Sequence, residues 1–136
     1  MNNGRFAISL HILVLLEKAK GELLSSDYMA GSININPVLV RKELINLRER
    51  GFVVSKEGKN GGATLAKAAN KITLGAIYQS VKGNYLLGNH KNDPNPLCEV
   101  GRDINKHLGD LYNETERRLV KELDQQTLAD FSARFE

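Results

Sequence analysis

The chain has 136 residues, 41% apolar and 26% charged, which are ordinary globular values and exclude disorder as a description of the whole. Its net charge of +3 is unevenly held: residues 1–70 carry ten Lys/Arg against six Asp/Glu, and residues 71–136 carry nine against ten. The cationic half points to a polyanion partner, and the single cysteine, Cys98, excludes a scaffold stapled by intrachain disulfides.

The mostly apolar run Phe6 to Leu16 follows Arg5, is too short to span a bilayer, and is not followed by a small-x-small cleavage site. It is read as helix and not as a leader, so a cytoplasmic protein without a membrane partner is expected. Phe6, Leu10, Leu13 and Val14 recur at helical spacing, and that helix ends before Gly21. Leu23-Leu24 reads as a short strand. Ser25-Ser26 supplies an N-cap for a brief helix through Ala30, with Tyr28, Met29 and Ile33 turned inward. Asn34 and Asn36 bracket a tight turn. Asn36 is a good N-cap, and Pro37 suits the first helical position, where a missing N–H costs nothing.

The next helix runs to Arg50, with Gly51 placed as the left-handed residue that closes it. Val40, Leu44 and Leu47 fall at i, i+4 and i+7 and form its core face. Phe52 to Ser55 and Ala63 to Ala66 read as two strands, and the Gly61-Gly62 pair between them is expected to supply the positive φ of a tight hairpin. Thr73 caps a helix from Leu74 to Val81, stopped by Gly83.

Residues 83–96 are rich in Gly, Asn and Pro and read as a loop or linker. From Asn95-Pro96 a long helix begins, with a stripe at Leu97, Val100, Ile104, Leu108, Leu111, Thr115, Leu119 and Leu123. A helix of that length overhangs so small a domain and needs a partner. A homodimer is therefore expected, with Leu97, Val100, Ile104, Leu108, Leu111 and Leu119 as its contacts and Gly101 and Gly109 admitting the second backbone. Thr127 caps a short last helix. The fold class is mainly α with a small β-hairpin wing: a winged helix-turn-helix over residues 1–82, the linker 83–96, and the dimerisation and C-terminal helices over 97–136.

Helix, helix, helix, hairpin is the order of a winged helix-turn-helix, whose third helix enters the major groove of double-stranded DNA. Opposite its core face this helix presents Asn36, Val38, Arg41, Lys42 and Ile45. Arg41 is the foremost candidate for a base edge, because a guanidinium can donate twice to guanine O6 and N7. Asn36 and Lys42 suit bases or phosphates, and Ser25 and Ser26 suit phosphates at a helix N-terminus. Lys56, Lys59, Asn60, Gly61 and Gly62 form a wing without bulky residues that can lie on phosphate or in the minor groove. Arg5 and Val38 complete the DNA-contact set.

The competing reading is a winged-helix module that binds protein, since a basic helical face is often only solvated. No Ser-His-Asp grouping, paired carboxylates or His-x-x-x-His spacing argues for an enzyme. His11 reads as a satisfied half-buried residue, and His90 and His107 as facing solvent or the dimer seam. The glycines at 58, 61 and 62 lie between strands without a following Gly-Lys-Ser/Thr, so they are not a nucleotide-phosphate loop.

Over almost its whole length the chain resembles the Rrf-two, or BadM-like, bacterial transcription regulators. The resemblance is carried by Gly4-Arg5-Phe6-Ala7, by Ile35-Asn36-Pro37 through Leu47-Arg48, and by Gly51-Phe52-Val53. It continues in Gly58-Lys59-Asn60-Gly61-Gly62 and Ile72-Thr73-Leu74-Gly75-Ala76-Ile77-Tyr78. It implies a dimeric winged-helix DNA binder, usually a repressor, joined through its long penultimate helix. Members of that family that sense iron–sulfur status or nitric oxide carry three clustered cysteines between wing and dimer helix. This chain has Cys98 alone and looks like the single-cysteine branch. No cofactor is expected, an iron–sulfur cluster included, because a cluster takes four thiolates or a mixture with His.

With Asn95 as cap and Pro96 as first residue, Cys98 falls in the first turn of the long helix. Free N–H groups and the positive end of the dipole there favour a reactive thiolate, which Glu99 opposes. Cys98 is therefore the candidate sensor of oxidants or electrophiles, against the reading of a lone cysteine as a small buried hydrophobe. A small effector in the loop near Tyr85 and His90, or a protein partner, are the other means of control. The resulting expectation is a homodimeric repressor on an approximately palindromic operator, with half-sites about one helical turn, or a multiple, apart.

Overall fold

A computed structural model describes residues 4–83, 87–88 and 92–135. In chain order the elements are α1 (Gly4–Lys18), α2 (Ser26–Ile33), α3 (Pro37–Glu49), β1 (Val53–Lys56), β2 (Gly62–Leu65), a 3-10 turn at Ala69–Lys71, α4 (Leu74–Val81), α5 (Glu99–Leu123) and α6 (Leu128–Ser132).

α1 is the centre of the core. Ile12, Leu13 and Leu16 are fully buried, with Ser9, Leu10 and Val14 beside them. They are covered because α2, α3, α4, α6 and β2 all pack on this one helix. Each of the leucine, isoleucine and valine side chains contributes roughly 1.5–3 kcal/mol by leaving water. The interior is completed by Met29, Val40, Leu47, Phe52, Ile72, Ile77 and Leu128.

The start and stop signals around α3 act as expected. The Asn36 side chain accepts from the Val38 N–H at 2.9 Å, and Pro37 opens the helix. At the other end Gly51 takes φ +82°, and its N–H donates to the Arg48 carbonyl while that of Phe52 donates to Leu47 at 2.9 Å. This pair of bonds is the Schellman arrangement, and Phe52 and Leu47 meet in the core behind it. α2 runs three residues beyond Ala30, to Ile33, because nothing interrupts it before Asn34, which closes it at φ 63°. Tyr28, expected inside, is 60% exposed, whereas Met29 is buried as expected.

The hairpin sits one residue away from its expected bounds, pairing Val53 with Leu65, Val54 with Thr64, Ser55 with Ala63 and Lys56 with Gly62. The expected strand at Leu23-Leu24 shrinks to one bridging residue, Leu24, which exchanges two backbone hydrogen bonds with Ala63 at 3.1 and 2.9 Å. Gly62 makes this bridge feasible: a Cβ there would overlap the Leu24 carbonyl. Positive φ in the turn falls on Gly58 and Asn60 as well as Gly62, and not on Gly61. Gly61 is needed for space instead, since a Cβ would strike the Lys56 carbonyl.

α5 begins at Glu99 and not at Pro96. Asn95 does accept from a following N–H, that of Leu97 at 3.0 Å, but this closes a preliminary turn. Cys98 becomes the N-cap, without a side-chain capping bond. Gly101 admits the chain's own loop, because a Cβ at that position would lie 2.6 Å from the Asn95 carbonyl oxygen.

After α5 the chain returns to the first domain. Leu74 N–H donates to the Gln126 carbonyl at 2.9 Å and Leu128 N–H to the Ile72 carbonyl at 2.8 Å. Thr127 caps α6 in a capping box with Asp130. Leu128 is fully buried, and Leu123 and Phe131 pack against the same core as α1.

Candidate nucleic-acid interface

α3 has two faces of different chemistry. Its inner face buries Val40, Glu43 and Leu47, with Leu44 half-buried. Its outer face leaves Asn36, Val38, Arg41, Lys42 and Ile45 exposed, the same five residues that periodicity assigns to it. The Asn36 carbonyl oxygen is used in the cap, which leaves its amide N–H groups as outward donors. Arg41 Nη1 reaches Ser26 Oγ at 3.4 Å, a long contact that a stronger acceptor such as phosphate can displace.

Ser25, by contrast, spends its hydroxyl oxygen on the Tyr28 N–H at 3.0 Å as the cap of α2. Its hydroxyl proton remains available to an anion. Lys56, Lys59 and Asn60 are exposed on the wing, with Gly61 and Gly62 half-buried behind them. Between wing, α2 and α3 runs an open groove of about 380 Å³, lined among others by Ser26, Arg41, Leu44, Ser55 and Lys56. Glu57 also lines it, an acidic residue beside Arg41 and Lys56, and Leu24, Leu44 and Ala63 give it apolar walls.

Arg5, in the first turn of α1, engages α3 directly. Its guanidinium forms a fork with the Glu43 carboxylate, Nε to Oε2 at 2.9 Å and Nη2 to Oε1 at 3.1 Å. The side chain that the sequence assigns to DNA is thus paired with a buried acid of α3. Sequence reasoning missed this pair. Position 43 lies three residues from Val40 and four from Leu47, which marks it as inward, but nothing local names a partner 38 residues away.

Leu97, just before α5, is 93% exposed, and α5 itself presents Val100 (68%) and, further on, Leu111 (56%) to solvent. Ile104, Leu108 and Leu119 are half-buried. The helix docks on α4 through a neighbouring face, where Tyr112 and Glu116 are buried. Glu116 accepts from Tyr78 Oη at 2.7 Å and from Lys82 Nζ at 3.1 Å. Burial first, and then this carboxylate, push the Tyr78 phenol up to about 12. Gly75 permits the close approach, as a Cβ there would overlap the Asp124 carboxylate.

Cys98 is exposed. Among the described residues no group of three or more His, Cys, Asp and Glu is arranged to hold a metal ion. His11 is half-buried and hydrogen-bonded to Ser32 Oγ at 3.0 Å, and His107 is exposed. Tyr85 and His90 lie outside the described residues. No helix among the described residues is long and apolar enough to cross a membrane.

Comparison with known proteins agrees with this geometry. The profile of the Rrf2 family, described as "Iron-dependent Transcriptional regulator", matches residues 2–134. The chain is 36% identical over 131 residues to YwnA of Bacillus subtilis (strain 168), covering 96% of both chains. It is 30% identical over 122 residues to the HTH-type transcriptional regulator NsrR of Halalkalibacterium halodurans, covering 85% of this chain and 84% of that one. The structure of CymR, the global cysteine regulator of B. subtilis, superposes with a TM-score of 0.68 at 24% identity, over 100% of this chain and 98% of that one. The chain belongs to the Rrf2 family of transcriptional regulators.

Proposed function

We propose that the protein is a sequence-specific DNA-binding repressor that acts as a homodimer in the cytoplasm. The observation that carries this reading is the open surface formed by Arg41, Lys42 and the Lys59-Asn60 wing tip, flanked by Ser25 and Ser26. Its chemistry suits a major groove for α3 and a phosphate backbone for the wing. Two copies related by a two-fold axis would read an approximately palindromic operator. The apolar side chains of α5, above all Val100 and Leu111, supply the seam together with Leu97 just before the helix. In this reading no cofactor is needed and no reaction is catalysed. A lone exposed thiol does not fit the four-ligand set of an iron–sulfur cluster.

The test is binding to duplex DNA at several salt concentrations. Arg41→Ala should weaken the selected sequence by roughly 1–3 kcal/mol and relax discrimination at one base pair. Equal weakening on every sequence would reassign Arg41 to phosphate. A winged-helix module for protein partners would instead show no specificity ratio above one.

A second reading concerns control. Cys98 is exposed at the N-cap of the helix that carries the seam, where modification can reach it. A hydroperoxide would oxidise the thiolate to sulfenic acid and leave as water or alcohol, and a bulky electrophile would act at the same sulfur. Cys98→Ser should keep DNA binding in mild oxidant that releases the wild type. Loss of DNA from both proteins would show that control lies elsewhere, in a small effector or a protein partner.

A further inference from the structure

Two polar side chains on α3 point away from the DNA face and are unexplained by it. Glu43 is 4% exposed and lies on the same side of the helix as the core residues Val40 and Leu47. Its carboxylate is held by the Arg5 fork at 2.9 and 3.1 Å, in the first turn of α1. Three residues on, Asn46 Nδ2 donates to the Ser80 carbonyl at 3.0 Å, in the last turn of α4. Residues three apart share one flank of a helix. One flank of α3 is thus tied to two different elements.

A buried ion pair is weak evidence of added stability, because desolvating both charges offsets much of their attraction. What it supplies is direction. Val40 and Leu47 hold α3 by apolar burial, which is not directional, whereas a bidentate fork weakens steeply with angle. With a side-chain radius of about 5–6 Å, a roll of about 20° moves the outward tips of α3 by about 2 Å. That displacement breaks a bidentate contact to a base edge. A lysine reaching for phosphate follows it with its flexible stem.

Resting on the DNA-binding reading above, we propose that Arg5, Glu43 and Asn46 are positioning residues that set the roll of α3 and thereby its sequence discrimination. None of them touches DNA. Their loss lowers the ratio of specific to non-specific affinity, and leaves the phosphate-driven part of binding in place.

The test uses the full-length protein and a duplex that the wild type selects from a random library, with a scrambled duplex of equal length as control. Affinities for both are measured for the wild type, Arg5→Lys, Glu43→Gln and Asn46→Ala, alongside circular dichroism and thermal melting. The expected result is a tenfold or greater loss on the selected duplex and less than a twofold change on the scrambled one, in variants that remain folded. Unchanged ratios in folded variants would overturn the proposal, and so would equal losses on both duplexes. Should Glu43→Gln fail to fold, Arg5→Lys decides the question, because it keeps the charge at a partly exposed site and removes only the fork. A wild type that selects no duplex overturns the DNA reading itself. A wild type that selects, beside variants that keep its ratio, overturns the positioning role alone.

Discussion

α1 is apolar over most of its length and the first part of α5 carries a narrow apolar stripe, yet the first is covered on nearly all sides by its own chain and the second leaves part of its stripe open to solvent. Ile12, Leu13 and Leu16 are in contact with a closed core, while Val100 and Leu111 are 68% and 56% exposed. Hydrophobic patterning thus reports that a face must be covered and does not say by which molecule. The difference divides the work: α1 stabilises a protomer, and α5 supplies the seam of the proposed dimer.

The largest effect should come from the closed region. Leu13→Ala should lower stability by about 2–5 kcal/mol, read as a shift in the urea midpoint with an unchanged slope. A loss below 1 kcal/mol would mean that α1 is less central than its burial indicates. In the open region, Val100→Asp with Leu111→Asp should leave the protomer folded and halve the mass in sedimentation. Operator affinity should then fall on the order of 10²-fold or more, as two linked half-site contacts become one. Retention of a dimer would place the seam elsewhere.

The junction between the regions, Tyr78 against Glu116, makes a prediction about pH. The Tyr78 phenol titrates at about 12 when folded and near ~10 when unfolded. Its folded value is raised, so its contribution is complete below pH ~10 and is lost as pH rises to about 12. Tyr78→Phe should flatten the alkaline decline of the urea midpoint over that window. An identical decline in the variant would assign it to other groups. The smallest effect is expected at the wing, where Lys59→Ala should weaken all duplexes alike and reduce the salt slope by about one.

How much of this was legible in the sequence follows from the range of each interaction. The caps at Asn36, Thr73 and Thr127 and the stop at Gly51 lie within a few residues of the groups they satisfy, and all occur as read. The outward face of α3 follows from a period of 3.6. Asn95 misled because its local turn is followed by another before α5 starts, which moves Cys98 from the first turn to the cap. Arg5 with Glu43, and Tyr78 with Glu116, are each 38 residues apart, and no local period encodes such pairs. The return of α6 to α1 was hidden for the same reason.

Competition binding most directly tests the claim that the outer face of α3 and the wing together read DNA. The wild-type protein would be titrated with its selected duplex and with the scrambled duplex across a salt series. The account predicts a steep salt dependence on both and a preference of about 10³-fold or more for the selected duplex. A flat salt response, or equal affinity for the two duplexes, would contradict it.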